Sequence, residues 1–474
     1  MSPEVVVVVG LGYAGLPIAL VLAEAGWQVV GVDVDPVRVR MLRKQLYADG
    51  EAIASELLAK HLGRGLTITS TLPKGARAYV ITVATPVDED GMPNLDDLKR
   101  ACEQVGSALE VGSLVVLRST VPPGTTRHIV APLLARTAGG LHPGVDFHLV
   151  YAPERAVQGA AIQELRRLPQ LLAGLSDEAC FVAARDVFSF ATSILRAPSL
   201  ESAEFAKLLN NAFRGVSFAF ANMAAKLVSG LGLDAPATIA LANFGYPRNP
   251  IAMPSPGVGG PCLKKDSAML GHVAEALDVE GGLLDAARRL NDSMPEFVVE
   301  QVSSEVAASG LAPYQTRVLV CGMAFKGNPE TADMRESAGV RIAQLLVDRG
   351  MSVCIHDPVV PATAMASLKI GLTSLIEGLR WADVVVLANN HTEYASLGWS
   401  EVPLPAKPGV VWLDLWSLHR GSPLAADSSV RYRTLGGRTS GIDFLCELRP
   451  GQSHGLQAVA DESASRACSR YRRR

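Results

Sequence analysis

The stretch Val5-Val6-Val7-Val8-Val9-Gly10-Leu11-Gly12-Tyr13-Ala14-Gly15-Leu16-Pro17 decides the fold. Five valines read as a buried strand, and G-x-G-x-x-G follows at once, opening a helical pattern that continues over Pro17–Ala25. Gly10 permits the tight turn, Gly12 lets backbone approach a pyrophosphate, and Gly15 lets helix and strand pack closely. The helix N-terminus adds partial positive charge and N–H donors. A second strand, Gln28–Val32, leads into Asp33, about 20 residues on, where a carboxylate takes ribose hydroxyls. The expectation is a Rossmann-type, doubly wound α/β domain that binds a dinucleotide. A 2′-phosphate about 4 Å from Asp33 would be repelled by roughly 4 kcal/mol at an effective dielectric of 20, which favours NAD. Arg38 is close enough in sequence to soften that repulsion or to contact the pyrophosphate.

Outward from this motif, strands are expected at Ala78–Val83, Leu114–Arg118 and His148–Tyr151, with a helix over Leu95–Ala108. From Ser202 to about Leu231 the chain is alanine-rich and free of proline, and Gly230 and Gly232 punctuate its end. This reads as one long helix, either a dimer axis or a merely buried element, leading into a mostly helical segment. A second α/β pattern follows: strand Arg317–Cys321, helix Ala338–Arg349, strand Ser352–His356 leading into Asp357, then strands Ala382–Ala388 and Val410–Leu413. The order strand, glycine, helix, strand, aspartate thus occurs twice, at Val5–Asp33 and Val318–Asp357. The second copy lacks a compact glycine fingerprint and is expected to hold another ligand. The domains expected are 1–200, 201–310 and 311–450, two Rossmann-like units joined by a helical one, with a polar, disordered tail at 451–474.

The 474 residues suit about three domains. With 48% hydrophobic and 19% charged residues and a net charge of −3, nothing favours nucleic acid or an anionic membrane. No apolar run reaches the roughly 20 residues of a membrane span, and no N-terminal targeting signal is visible. Seven cysteines without a C-x-x-C pair or metal spacing point to a reducing, cytoplasmic setting, with neither a disulfide framework nor a metal site.

Two stretches carry chemistry. In Pro256-Gly257-Val258-Gly259-Gly260-Pro261-Cys262-Leu263-Lys264-Lys265-Asp266 a thiol follows a glycine loop that could wrap a substrate, with Lys265 and Asp266 just beyond. It reads as a reactive cysteine near cations, or as a small buried residue beside a turn. In Glu204–Asn211, Lys207 and Asn211 fall at i and i+4 on one helix face. They would suit an oxyanion on a cysteine-bound carbon, or form an exposed polar stripe.

Taken together, the chain resembles the UDP-glucose/UDP-N-acetylmannosamine (GDP-mannose) dehydrogenase family, from about Val5 to Leu448. The likeness rests on GLGYAGLP at Gly10–Pro17, ATPVDEDGMPNL at Ala84–Leu95, RSTVPPGTT at Arg118–Thr126, YAPERAVQG at Tyr151–Gly159, EFAKLLNNAFR at Glu204–Arg214, PGVGGPCLKKD at Pro256–Asp266, RRLNDSMP at Arg288–Pro295 and AFKGNPETADMRES at Ala324–Ser337. The resemblance implies oxidation of a nucleotide sugar's C6 alcohol to a carboxylate with two NAD. Cys262 would attack the intermediate aldehyde, giving a thiohemiacetal and then a thioester. It implies oxyanion stabilisation by Lys207 and Asn211, and water ordering and proton transfer by Thr120, Glu154 and Asp266. Thr85 and Thr120 would line the nicotinamide side, and Lys265 and Arg335 would contact cofactor or phosphate. Glu154, Arg155, Lys207, Asn211, Gly259, Phe325 and Lys326 would face the nucleotide sugar, and the long helix would pair two protomers.

Pro261 stands where many relatives have His or Ser, Lys264 where Pro is common, and Met223 where Glu is frequent; Ala156-Val157-Gln158 is a loose version of its loop. The Pro153-Glu154-Arg155 form resembles relatives acting on UDP-N-acetylhexosamines, with UDP-glucose and a dTDP-sugar as the other candidates. The competing readings are a two-electron β-hydroxyacid-type dehydrogenase and a non-catalytic nucleotide-sugar binding protein.

Overall fold

The computed structural model describes residues 4–46, 51–88, 91–397 and 407–437. The expected tail at 451–474 and the end of the third expected domain, 438–450, lie outside the described residues. The chain forms two compact units. The first takes the chain up to Phe213 with Lys265–Leu284 and Pro329–Thr331. The second takes Arg214–Lys264, Asp285–Asn328 and the chain from Ala332 onward. The middle segment is thus shared between them.

The first unit is built on eight strands: β1 (Val5–Val9), β2 (Gln28–Val32), β3 (Leu66–Thr69), β4 (Ala78–Ile81), β5 (Leu114–Leu117), β6 (His148–Tyr151), β7 (Gln170–Gly174) and β8 (Ile194–Arg196). Their order is β3-β2-β1-β4-β5-β6-β7-β8, parallel except where β6 meets β7. Successive side chains of a strand face opposite ways. Val6 and Val8 therefore enter one core with Leu16 and Leu20 of the helix Gly15–Glu24. Val7 and Val9 enter another with Leu98, Cys102 and Val105 of the helix Asp96–Gly106. Burial on both faces is why β1 reads as an unbroken apolar run rather than an alternation.

The second unit carries β9 (Arg317–Cys321), β10 (Ser352–His356), β11 (Gly371–Leu372), β12 (Val384–Leu387), β13 (Val411–Asp414) and β14 (Arg431–Thr434). Their order, β11-β10-β9-β12-β13-β14, repeats the winding of β3-β2-β1-β4-β5-β6. This is the strand order of a doubly wound, Rossmann-type sheet. Val318 and Val320 serve one core, Leu319 and Cys321 the other.

The long helix spans Leu200–Gly230. It stops where the chain needs a positive φ, supplied by Gly232 at +74°. Leu200 and Ala203 bury in the first unit's core. Farther along, Asn222 donates to Asn291 at 3.0 Å and accepts the Ser255 N–H at 2.9 Å, pinning the start of the glycine loop. The strand expected over Ala78–Val83 stops at Ile81, because the Thr82 hydroxyl turns within reach of the Val9 and Gly10 carbonyls, at 3.0 and 2.7 Å. No helix among the described residues is long and apolar enough to cross a membrane.

Candidate active site

The fingerprint glycines occupy three different environments. Gly10 has φ +91°, open to glycine and strained for other residues. A Cβ on Gly15 would lie 1.8 Å from the Gly10 carbonyl oxygen, so helix and turn can touch only there. A Cβ on Gly12 would meet nothing within 4 Å: the space beside it is open, as a ligand approaching the backbone requires. Asp33 accepts the Leu11 N–H at 2.8 Å and the Asp35 N–H at 2.9 Å, so its carboxylate is oriented but half-exposed. Arg38 donates to the Leu11 carbonyl at 3.1 Å, placing one cation and one anion on the two ends of a single residue. These features fit a dinucleotide.

Other candidate side chains of the first unit follow the C-terminal ends of parallel strands, where ligands of such sheets bind. After β4, the buried Thr85 hydroxyl donates to the Thr120 carbonyl at 2.6 Å, stitching the two threonines together. After β5 comes Arg118, 1% exposed, and after β6 comes Glu154; the guanidinium and carboxylate meet at 2.6 Å. Glu154 also accepts the N–H groups of Arg155 and Ala156 at 2.8 and 2.7 Å. Burial pushes this carboxyl up, but Arg118, the backbone donors and the Lys207 charge outweigh it and hold it below the usual range. Removing one partner of such a buried pair costs about 3–5 kcal/mol, since the other charge is left uncompensated.

Asn211 lies one helical turn after Lys207 and donates to Asp266 at 2.6 Å. Asp266 is 1% exposed, and its other oxygen pairs with Lys265 at 2.6 Å. The structure therefore joins Asn211, Asp266 and Lys265 in one polar chain in the first unit, with Lys207 one helical turn before Asn211 and its charge felt at Glu154, while Arg155 is exposed. Two residues inside the recognised motifs had been given no role. Arg118 is the partner of Glu154. Glu204, fully buried, accepts the Gly124 and Thr126 N–H groups at 2.6 and 2.8 Å and so fastens the Pro-Pro-Gly turn. A charge directly after an apolar strand, or on the apolar side of a helix, was the available signal.

The second unit holds Cys262, half-buried, immediately before the helix Leu263–Ala276. Its loop needs glycine: Gly257 and Gly260 take φ +141° and +84°. Lys326 sits 5.6 Å over the Phe325 ring, and Arg335 pairs with Asp333 at 2.6 Å. The buried thiols elsewhere suit no nucleophile: burial pushes Cys102 up to about 12 and Cys321 higher still.

Family models match the chain in three places. They are the NAD binding domain of the UDP-glucose/GDP-mannose dehydrogenase family at residues 4–192, its central domain at 201–293 and its UDP binding domain at 319–419. The UDP-N-acetyl-D-mannosamine dehydrogenase of Pyrococcus horikoshii is 33% identical over 400 residues, 84% of this chain and 92% of the relative. The UDP-N-acetyl-D-glucosamine 6-dehydrogenase of Pseudomonas aeruginosa is 31% identical over 417 residues, 86% and 96%. A solved UDP-glucose dehydrogenase from Pyrobaculum islandicum superimposes with a TM-score of 0.78 at 27% identity, over 92% of this chain and 98% of that one.

Proposed function

Because the chain belongs to the UDP-glucose/GDP-mannose dehydrogenase family, an NAD-dependent oxidoreductase lineage, we propose that it oxidises the C6 alcohol of a UDP-N-acetylhexosamine to the carboxylate in two steps through Cys262. NAD, when bound, accepts one hydride in each oxidation. The observation that carries the reading is one helix: Cys262 immediately precedes it, and its fourth residue, Asp266, is fixed by Asn211.

Each residue then has a task. Lys207 and Asn211 stabilise the alkoxide and later the oxyanion on the carbon bonded to sulfur. Cys262 forms the thiohemiacetal and thioester, which keeps the aldehyde from escaping between the two oxidations. Thr120, Glu154 and Asp266 order the water that hydrolyses the thioester and carry its protons. Glu154, held below the usual carboxylate range, stays anionic at neutral pH and can accept a proton. Thr85 and Thr120 line the nicotinamide side, with Lys265 and Arg335 contacting cofactor or phosphate. Arg155, Gly259, Phe325 and Lys326 hold the nucleotide sugar.

The sugar class rests on the Pro153-Glu154-Arg155 sequence and on two relatives named for N-acetylated sugars. A homodimer is part of this proposal, supported by the long helix, where Phe205, Leu209, Phe213, Phe220 and Leu227, at steps of four or seven, expose one apolar stripe. Light scattering should give about twice the 50.1 kDa chain mass. The deciding assay counts NADH per sugar across UDP-N-acetylmannosamine, UDP-N-acetylglucosamine and UDP-glucose. Two per sugar, fastest with an acetamido sugar, is expected; one would indicate the two-electron chemistry, and none a binding protein.

A further inference from the structure

One segment of the second unit grips the Cys262 loop on both sides. Before the thiol, a Cβ on Gly259 would lie 2.8 Å from both the Phe325 Cβ and the Glu336 carbonyl oxygen. One on Gly260 would lie 2.8 Å from the Phe325 ring, and the Gly260 N–H donates to the Arg335 carbonyl at 3.1 Å. After the thiol, the Lys264 ammonium stands 2.8 Å from Asp292 and 2.7 Å from Glu336. Asp292 ends the helix Gly282–Asp292, and Glu336 precedes Ser337, which caps the helix Ala338–Asp348. Glu336 itself takes φ +54°, a left-handed conformation that side chains disfavour. In that conformation its carbonyl meets Gly259 and its carboxylate meets Lys264. Such an outlier persists where surrounding contacts over-determine it.

One side of this grip borders open space. Gly257, Val258, Lys264, Asp292 and Glu336 all line a cavity of about 440 Å³. On that open side Lys264 is held by its two ion pairs. Burial works against the Lys264 charge, yet its two carboxylates outweigh this and hold the ammonium above the usual lysine range.

We propose that Lys264 is a positioning residue for Cys262: its ion pairs to Asp292 and Glu336 fix the residues after the thiol against the segment that already holds the glycines before it. The proposal rests on Cys262 being the nucleophile of a four-electron oxidation. Lys264, Asp292 and Glu336 are all partly exposed, so their pairs add little to overall stability. Their effect is on placement. The first oxidation does not involve sulfur. Before the second, the Cys262 sulfur–carbon bond must form, with the thiol proton passing to a base and one proton reaching the aldehyde oxygen, and this step is the one sensitive to where the thiol stands.

The test is single-turnover NADH formation by Lys264→Met with whichever of UDP-N-acetylmannosamine, UDP-N-acetylglucosamine or UDP-glucose the parent oxidises. The first phase should stay close to the parent rate and the second should slow by about tenfold or more, as a displaced reacting group does. Lys264→Arg, which keeps the cation, should restore the second phase, and both variants should melt with the parent. Two unchanged phases, or an equal loss of amplitude in both, would overturn the proposal. A parent that yields one NADH per sugar, or none, would bring down the functional reading and this proposal with it. A parent that yields two beside an unaffected Lys264→Met brings down the proposal alone.

Discussion

The second sheet repeats the winding of the first six strands of the first, yet the first turns of the two are put to different uses. In the first, Gly10 and Gly15 stand five residues apart, and a Cβ on Gly15 would strike the Gly10 carbonyl at 1.8 Å. In the second, Gly322 and Gly339 stand in the same relation, with a Cβ on Gly339 striking the Gly322 carbonyl at 2.0 Å, but they lie seventeen residues apart. The carboxylates differ too. Asp33 is half-exposed, whereas Asp357 is buried and accepts four backbone N–H groups, from Met323, Ala324, Val359 and Val360 at 2.7–2.9 Å. That fills the acceptor capacity of a carboxylate. One backbone device thus serves an open ligand site in one half and a closed structural clamp in the other. The insertion between Gly322 and Gly339 carries Phe325, Lys326 and Arg335, the residues to which the proposed function gives substrate and phosphate contacts.

The largest expected effect tests the likeness. Gly15→Ala and Gly339→Ala each force a methyl into a carbonyl, and each should cost about 3 kcal/mol in a urea melt, the upper end for overpacking. A large loss at Gly15 beside none at Gly339 would break the equivalence. The next tests the difference. Asp357→Ala strands buried N–H groups and should lower stability by about 1–3 kcal/mol with cofactor choice unchanged. Asp33→Ala should barely move the melt but should erase much of the preference for NAD⁺ over NADP⁺, read as the ratio of kcat/KM values. Comparable kcat/KM values for NAD⁺ and NADP⁺ in the parent enzyme would contradict the assignment of Asp33.

The smallest effect lies in pH dependence. Burial lowers the pKa of His356 and His419 in the second half, and of His61 in the first. The unfolded chain therefore binds more protons below about 6.5, and stability falls as pH drops through that value. Glu154 acts in the same sense at lower pH. Its folded value is depressed, so its contribution is present above about 4.5 and is lost as pH falls through the folded value. Hydrogen exchange from pH 7 to pH 5 should loosen the second half more, with two such histidines against one. Earlier loosening of the first half would reverse this.

Both windings were legible because strands buried on two faces leave apolar runs such as Val5–Val9 and Val384–Leu387. The edge strand Ile194–Arg196 left no such trace, since all three residues are exposed. The fingerprint was legible because its glycines are local. The Gly322/Gly339 pair was not, because its spacing depends on an insertion that only the folded chain closes. Asn211 and Asp266 came from separate motifs, and their hydrogen bond spans 55 positions. Arg118 drew no role because its partner, Glu154, lies 36 residues away. Lys264 showed only as a departure from the family until Asp292 and Glu336 were seen around it.

Covalent oxidation at Cys262 stands or falls with Cys262→Ser. A serine hydroxyl stays protonated at neutral pH and is the poorer nucleophile, so turnover to the carboxylate should fall by several orders of magnitude, each tenfold step being about 1.4 kcal/mol of barrier. NAD⁺ and UDP-sugar binding should survive, and intact-mass spectrometry should find the sugar retained as an adduct or ester. Carboxylate formed by Cys262→Ser at the parent rate, with two NADH per sugar, would contradict the account.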